Sequence, residues 1–164
     1  MVEVEVIRGY LPGAIGRIAE IHGVYYHRDW GFGLFFEAKV ASELSDFLRR
    51  YDEKRDGFWI AIRKGRVEGS ITIDGVHAED AGAHLRWFIV SDDLRGKGLG
   101  NRLLESAISF CRAVNYRKVY LNSFGGLHPA RHLYEKTGFR LVEQHRGTFW
   151  GTEVDEQRFE LALT

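Results

Sequence analysis

Apolar and polar residues alternate at the start of the chain. Val2, Val4 and Val6 fall on one side and Glu3 and Glu5 on the other, the period of a half-buried strand. Pro12 and Gly13 end it. Ile15, Ile18, Ala19 and His22 then recur at helical spacing, with Gly23 as the expected stop. Residues 24–34 are rich in aromatics and glycine and show no clear period. Phe36, Val40, Leu44, Phe47 and Leu48 predict a helix over about residues 35–50. Two apolar runs, 57–63 and 66–74, joined by Lys64-Gly65, predict a hairpin. After a loop at 75–83, a strand over 84–90 passes through the turn Ser91-Asp92-Asp93 into a glycine-punctuated loop. A helix follows with Gly100, Leu103, Leu104, Ala107, Ile108 and Cys111 on one face. A strand over 118–123 comes next. A helix opened by Pro129 then ends near Thr137, with Gly138 as its cap. Strands at 139–145 and 157–163, flanking a polar loop over 147–156, complete the chain.

The order β-α-α-β-β-β-α-β-α-β-β places three antiparallel strands before a crossover helix and a parallel strand. That is a mixed sheet of the α/β (α+β) type. No internal repeat, low-complexity tract or linker interrupts it. Residues 1–164 therefore read as a single domain, long enough to bury a core.

Lys plus Arg equals Asp plus Glu, 23 each, so there is no basic excess to suggest nucleic acid as a partner. Cys111 is the single cysteine, which excludes an internal disulfide and points to a reducing, cytoplasmic compartment. The alternating start lacks the basic and apolar regions of a signal peptide. No apolar run is long enough to span a membrane, so no membrane partner is expected.

The candidate chemistry begins at Val90-Ser-Asp-Asp-Leu-Arg-Gly-Lys-Gly-Leu-Gly-Asn-Arg-Leu-Leu104. A helix N-terminus offers unpaired N–H groups and a partial positive charge, and Gly96, Gly98 and Gly100 let a phosphate approach them closely. Arg95, Lys97 and Arg102 add charge. The alternative is an ordinary helix cap with solvated basic residues.

Three blocks in order carry a family resemblance. They are Trp87-Phe-Ile-Val90 running into Arg95-Gly-Lys-Gly-Leu-Gly100, the strand Lys118-Val-Tyr-Leu-Asn122, and Ala130-Arg-His-Leu-Tyr-Glu-Lys-Thr-Gly-Phe139. With this spacing and element order the chain resembles the GNAT superfamily of acetyl-CoA-dependent N-acetyltransferases. The resemblance implies a central sheet of about seven strands, helices on both faces, and a V-shaped splay between the two central strands. A narrower likeness lies in His22-Gly-Val-Tyr-Tyr-His-Arg-Asp-Trp-Gly-Phe32, in Leu85–Val90 and in the stretch from Trp150 to Leu161. These are similar to the acetyltransferase half of bacterial proteins fused to a MarR-type DNA-binding domain. No DNA-binding half is legible here, and no nucleic-acid role is inferred.

The resemblance assigns roles residue by residue. The N–H groups of Gly96, Lys97, Gly98, Leu99, Gly100 and Asn101 would cradle the coenzyme A pyrophosphate, with Arg95 alongside. Phe88, Ile89 and Val90, at a strand bulge, would pair with the pantetheine arm. Tyr134 matches the family's general acid; a phenol with a pKa of about 10 protonates a leaving thiolate while staying neutral itself. Some relatives carry a glutamate base where His84 stands, and an imidazole suits that task. The alternative for His84 is a strand-end residue facing solvent. Arg86 shares its face and is suited to a substrate carboxylate. Together they suggest an acceptor with an acidic group. The family's asparagine seven residues before the tyrosine is Leu127 here, and Asn122 is the candidate substitute.

On the acceptor side, Tyr26, Trp30 and Trp150 lie where the family covers its substrate cleft, and they suit either an enclosed amine or simple packing. The expected acceptor is the primary amine of a small or amino-acid-like molecule. The competing reading is an acyl-CoA-binding sensor without turnover. Relatives often form homodimers, but no interface is legible. His128 and His132 lack the rest of a zinc motif, so no metal is expected.

Overall fold

The computed structural model describes residues 3–163. Val2 therefore lies outside the described residues, and the first strand is β1, Glu5–Arg8. The remaining elements are α1 (Ala14–Trp30), α2 (Leu34–Arg49), β2 (Gly57–Arg63), β3 (Arg66–Asp74), β4 (Ala83–Val90), α3 (Leu99–Ala113), β5 (Lys118–Phe124), α4 (His128–Thr137), β6 (Arg140–Gly147) and β7 (Val154–Ala162). A short 3-10 turn, Asp92–Leu94, stands between β4 and α3. The seven strands form one sheet in the order β1-β2-β3-β4-β5-β7-β6, and only β4 and β5 pair in parallel.

Alternation along the strands builds two layers of core, because successive side chains point to opposite faces. Phe58 and Ile60 of β2 pack with Ala14 and Ile18 of α1 and with Leu44 and Phe47 of α2. Trp59 and Ala61 of the same strand pack on the other face with Leu103, Leu104 and Ala107 of α3 and Tyr134 of α4. A third cluster joins Phe36 and Val40 of α2 to Phe124 at the end of β5 and Val154 at the start of β7. It closes one end of the sheet, beside the site.

The expected stop at Gly23 is corrected. α1 runs two turns further, and Gly31, at φ 73°, caps it by donating to His27 O at 2.9 Å. Gly23 is buried, and a Cβ there would come within 2.5 Å of the Glu37 carboxylate. The glycine serves the close approach of α2 and ends nothing, at a cost of about 1 kcal/mol of helix propensity against alanine. His22, Tyr26 and Trp30 thereby fall at i, i+4 and i+8 of one helix.

Candidate active site

The loop before α3 has the geometry of an anion cradle. Gly96 and Gly98 adopt φ 76° and 83°, a left-handed conformation that glycine takes at little cost. A Cβ at either position would meet nothing within 4 Å, so the space before the loop is open. Arg102 N–H donates to Gly98 O at 3.1 Å. The N–H groups of residues 98–101 therefore precede the helical ladder, and no side chain caps them. Open room, unpaired donors and the positive end of a helix dipole fit a diphosphate.

The neighbouring cations are arranged unequally. The Arg95 guanidinium pairs with Asp92 and lies 3.9 Å from the Tyr25 ring centroid. Arg28 pairs with the same Asp92 at 2.5 Å, so α1 grips the loop from outside. Lys97 is exposed and has no ion-pair partner among the described residues. Arg102 borders a separate depression beside Arg8 and Trp59.

Gly98→Val should weaken acetyl-CoA binding by at least about tenfold, or about 1.4 kcal/mol. A β-branched side chain resists a left-handed backbone, which costs about 1–2 kcal/mol, and its methyls would occupy the cradle. Calorimetric titration measures it. Unchanged affinity would remove the loop from the cofactor site.

Next to the loop the two central strands part. β4 and β5 pair only at Ala83↔Val119 and His84↔Tyr120. On its other side β4 carries a bulge: Ile71 of β3 faces both Trp87 and Phe88, between the pairs Ser70↔Ile89 and Thr72↔Arg86. Trp87 sits at φ 46°, a conformation costing about 1–3 kcal/mol unless its surroundings enforce it. Ser70 Oγ donates to Trp87 O at 2.6 Å, and the Trp87 ring packs 5.7 Å from Phe47. The splay opens a cleft of about 180 Å³, to which β4 contributes His84 through Phe88 and β5 contributes Leu121 through Phe124. Ile89 and Val90 continue beyond it, paired to Ser70 and Gly69.

Tyr134 lines this cleft from α4, against the rings of Phe88 at 6.1 Å and Phe139 at 5.7 Å. Burial, reinforced by the nearby Tyr26 phenol, pushes its pKa above the ordinary tyrosine range. Asn122 lies exposed on the cleft wall. Leu127 also lines the cleft, at the N-cap of α4.

His84 stands at the last paired position before the strands separate. Its ring stacks on Tyr120 at 4.3 Å and 14°, and the Arg158 guanidinium lies 3.9 Å from the same Tyr120 ring. Burial and then the Arg86 charge lower its pKa to about 3, and Asp74 opposes this only in part. His22, also on the cleft, is lowered to about 4 by burial, with Nδ1 donating to Ile18 O at 2.8 Å. Both imidazoles are neutral near pH 7. An effective base needs a pKa near the working pH; these rings accept hydrogen bonds but hold protons poorly.

Two charged residues that sequence pattern does not single out also face the cleft. Lys39 and Glu43, four apart on α2, flank the apolar stripe of Phe36 and Val40 and line the cleft. Lys39 Nζ meets Glu43 at 2.5 Å and sits 4.1 Å from the Phe149 ring centroid. Arg86 meets the same Glu43 at 2.5 Å and Asp74 at 3.5 Å. The available signal was a pair of opposite charges at i, i+4 beside a buried face. Tyr26 and Trp150 also line the cleft, both packed on Phe124. Trp30 lies outside the cleft lining. Its ring packs 5.0 Å from Phe124 and closes over Gly126, where a Cβ would come within 2.2 Å of it.

An open anion cradle, a cleft between parted strands and a buried phenol on its wall stand together on a mixed sheet, an arrangement that fits an acyl thioester with a diphosphate. The sequence model of the Acetyltransferase (GNAT) family matches residues 16–139, and the chain belongs to that family. Among curated proteins it is similar to human N-acetyltransferase 8B, 24% identical over 125 residues, covering 74% of this chain and 55% of the relative. It is also similar to Escherichia coli N-acetyltransferase YjgM, 24% identical, covering 63% of each. The chain thus spans between half and two-thirds of these relatives. Among solved structures, a GNAT-family acetyltransferase from Staphylococcus aureus Mu50 superposes with a TM-score of 0.77 at 20% identity, covering 99% of this chain and all of that one. The yncA protein of Salmonella typhimurium, solved with its cofactor acetyl-CoA, superposes at 0.72 and 17% identity, covering 97% and 94%. Acetyl-CoA is the cofactor of the family, and the open cradle over residues 96–101 fits its diphosphate.

Among the described residues no helix is long and apolar enough to cross a membrane. Among the same residues, no cluster of three or more His, Cys, Asp or Glu side chains is placed to hold a metal.

Proposed function

We propose that this protein transfers an acetyl group from acetyl-CoA to the primary amine of a small molecule, the amine attacking directly while both substrates are bound. The observation that carries the reading is the parting of β4 and β5, with the open anion cradle at one end of the gap and Tyr134 on its wall. Bound acetyl-CoA supplies the activated acyl group. Residues 96–101 would hold its diphosphate, Phe88 through Val90 would pair with its arm, and Asn122 would border it.

Tyr134 keeps its proton at Oη, because burial disfavours the phenolate, and presents it to the leaving sulfur. His84 acts as a neutral hydrogen-bond acceptor, since its depressed pKa leaves it little strength as a base. The acceptor must therefore enter as the free amine or lose its proton to water.

This has a consequence for pH. His84 and His22 stay neutral at every pH well above about 4. Between about pH 6 and about pH 9, log kcat/KM should rise with unit slope toward the acceptor's own amine pKa. No inflection should appear near the ordinary histidine value of about 6.5. A plateau reached near that value would assign the base to a histidine.

Release of free thiol from acetyl-CoA across a panel of amines tests the function itself. Acetyl-CoA binding without thiol release on any amine would favour a non-catalytic sensor. The single buried Cys111, its thiol pushed up to about 12 by burial, is consistent with a reducing compartment such as the cytoplasm. We propose a bacterial source on the sequence likeness to MarR-fused acetyltransferases alone, with no nucleic-acid role. A homodimer, common among relatives, would show in sedimentation.

A further inference from the structure

The geometry points to an acceptor that carries a carboxylate beside its amine, bound between Lys39 and Arg86, with Glu43 as the internal counter-ion it shares or displaces. The inference rests on the acetyltransferase reading and names its substrate class. Four observations on the same wall of the cleft carry it.

The first is charge. Among the described residues lining the cleft, Lys39 and Arg86 are the Lys/Arg cations, Glu43 is the one carboxylate, and His22 and His84 add no charge near pH 7. Asp74, behind Arg86, does not cancel the excess. It is held by both nitrogens of the Arg50 fork, at 3.0 and 2.6 Å.

The second is unspent donor capacity. A guanidinium carries five N–H groups and an ammonium three. Arg86 spends one on Glu43 and one on Asp74. Lys39 spends one on Glu43. Both side chains are one-fifth exposed and so accessible from the cleft. A second carboxylate can be met without breaking the existing pairs.

The third is rigidity. The Arg86 guanidinium is stacked 4.1 Å from the Trp87 ring centroid, and Lys39 lies over Phe149. These contacts hold both cations in place and lower the entropy lost when an anion binds.

The fourth is how the lining divides. Lys39, Glu43 and Arg86 are its charged groups, and an acceptor's acid group would be drawn to them. The rest of the lining, Phe36, Phe149 and Trp150 among it, suits an apolar or aromatic body on that acceptor.

The test compares matched acceptors on the full chain: phenylalanine against phenethylamine, and leucine against isoamylamine. Each rate is expressed per concentration of free amine. The amino acid should be preferred in kcat/KM by at least about tenfold, or about 1.4 kcal/mol. Arg86→Gln should lower that preference by about tenfold, with Arg86→Lys restoring part of it. Glu43→Gln removes the competing carboxylate and should move the preference the other way, a gain that misfolding cannot imitate. A second readout uses the cleft tryptophans. Their fluorescence should report binding of N-acetylphenylalanine, with coenzyme A present, more tightly than N-acetylphenethylamine, and Arg86→Gln should abolish the difference.

Turnover of the amines without carboxylate preference would overturn the inference and leave the acetyltransferase reading intact. No turnover of any amine, with Arg86-dependent binding of N-acetylphenylalanine, would support the inferred site and overturn the enzymatic reading. Neither turnover nor selective binding would overturn both.

Discussion

Tyr134→Phe lowers kcat by about a hundredfold to ten-thousandfold while acetyl-CoA affinity changes little. The reasoning starts from what the substitution keeps. The Tyr134 ring packs against Phe88, Phe139 and Phe159, and phenylalanine fills the same space, so the fold and the cofactor cleft persist. It removes only the hydroxyl. That hydroxyl is held as the neutral phenol by burial and by the proximity of Tyr26, so it has a proton to present at every pH at which the amine is reactive. A raised pKa makes it a weaker acid in the ground state, and full transfer to a thiolate of pKa about 8.5 is uphill. Its contribution therefore belongs to the moment the C–S bond breaks, when the sulfur is most basic, and appears in kcat. Single-turnover rates with saturating acetyl-CoA, beside a calorimetric Kd, make the measurement. A variant retaining near wild-type kcat would remove Tyr134 from the chemistry.

Asp74→Ala costs about 1–3 kcal/mol of folding stability, less than a fully buried pair would, because the Arg50 left behind is 39% exposed and Arg86 keeps Glu43. Asp74 is 4% exposed and sits where β3, α2 and the acceptor wall meet. Burial alone would raise its pKa. The paired hydrogen bonds from Arg50, the Val76 N–H and the charges of Arg50 and Arg86 outweigh that and hold it below the ordinary carboxylate value. Its removal strands the Arg50 guanidinium and withdraws the second partner of Arg86, so Arg86 leans wholly on Glu43. Denaturant unfolding of wild type and variant gives the difference. A loss under about 1 kcal/mol would class the pair with surface salt bridges.

The pH dependence of stability has a definite sign. A carboxylate whose folded pKa lies below its unfolded one stabilises the fold above the unfolded value and loses that contribution as pH falls through the folded value. His22 and His84 act in the same direction. As pH falls from their ordinary 6.5 toward about 4 and about 3, the unfolded chain takes up protons that the folded one resists. Wild type should therefore lose stability steadily on acidification from about pH 6.5. Asp74→Ala should lose less below the carboxylate range, because one of the groups involved is gone.

Much of this was legible in residue order. The hairpin turn at Lys64-Gly65, the apolar face of α3 and the Pro129 to Gly138 span of α4 stand where the periods placed them. Each is specified by neighbours within a few residues, through turn chemistry, helical spacing or capping. The glycine loop was readable for the same reason: a cradle of consecutive N–H groups is a local structure. Gly23 was misread because its role depends on Glu37 of the facing helix, and nothing in the nearby sequence reports that approach. Trp30 stands where the family resemblance places the cleft cover, with simple packing as the alternative. Only the fold shows it turned onto Gly126 and Phe124.

What the sequence determined by itself is the kind of protein: element order, the anion cradle at Gly96–Asn101 and the tyrosine block that follows, all carried by short-range pattern. What only tertiary structure decided is the character of the cleft wall opposite the loop. His84 became a poor base because burial and Arg86 act on it through space. Lys39 and Glu43 became site residues because α2 lies across the parted strands, bringing residues 39, 43, 86 and 149 to one wall. Desolvation and Coulomb interaction depend on distance between atoms and not on separation along the chain. That is why a glycine loop suited to an anion can be read from a line of letters and the charged wall of the cleft needs the fold.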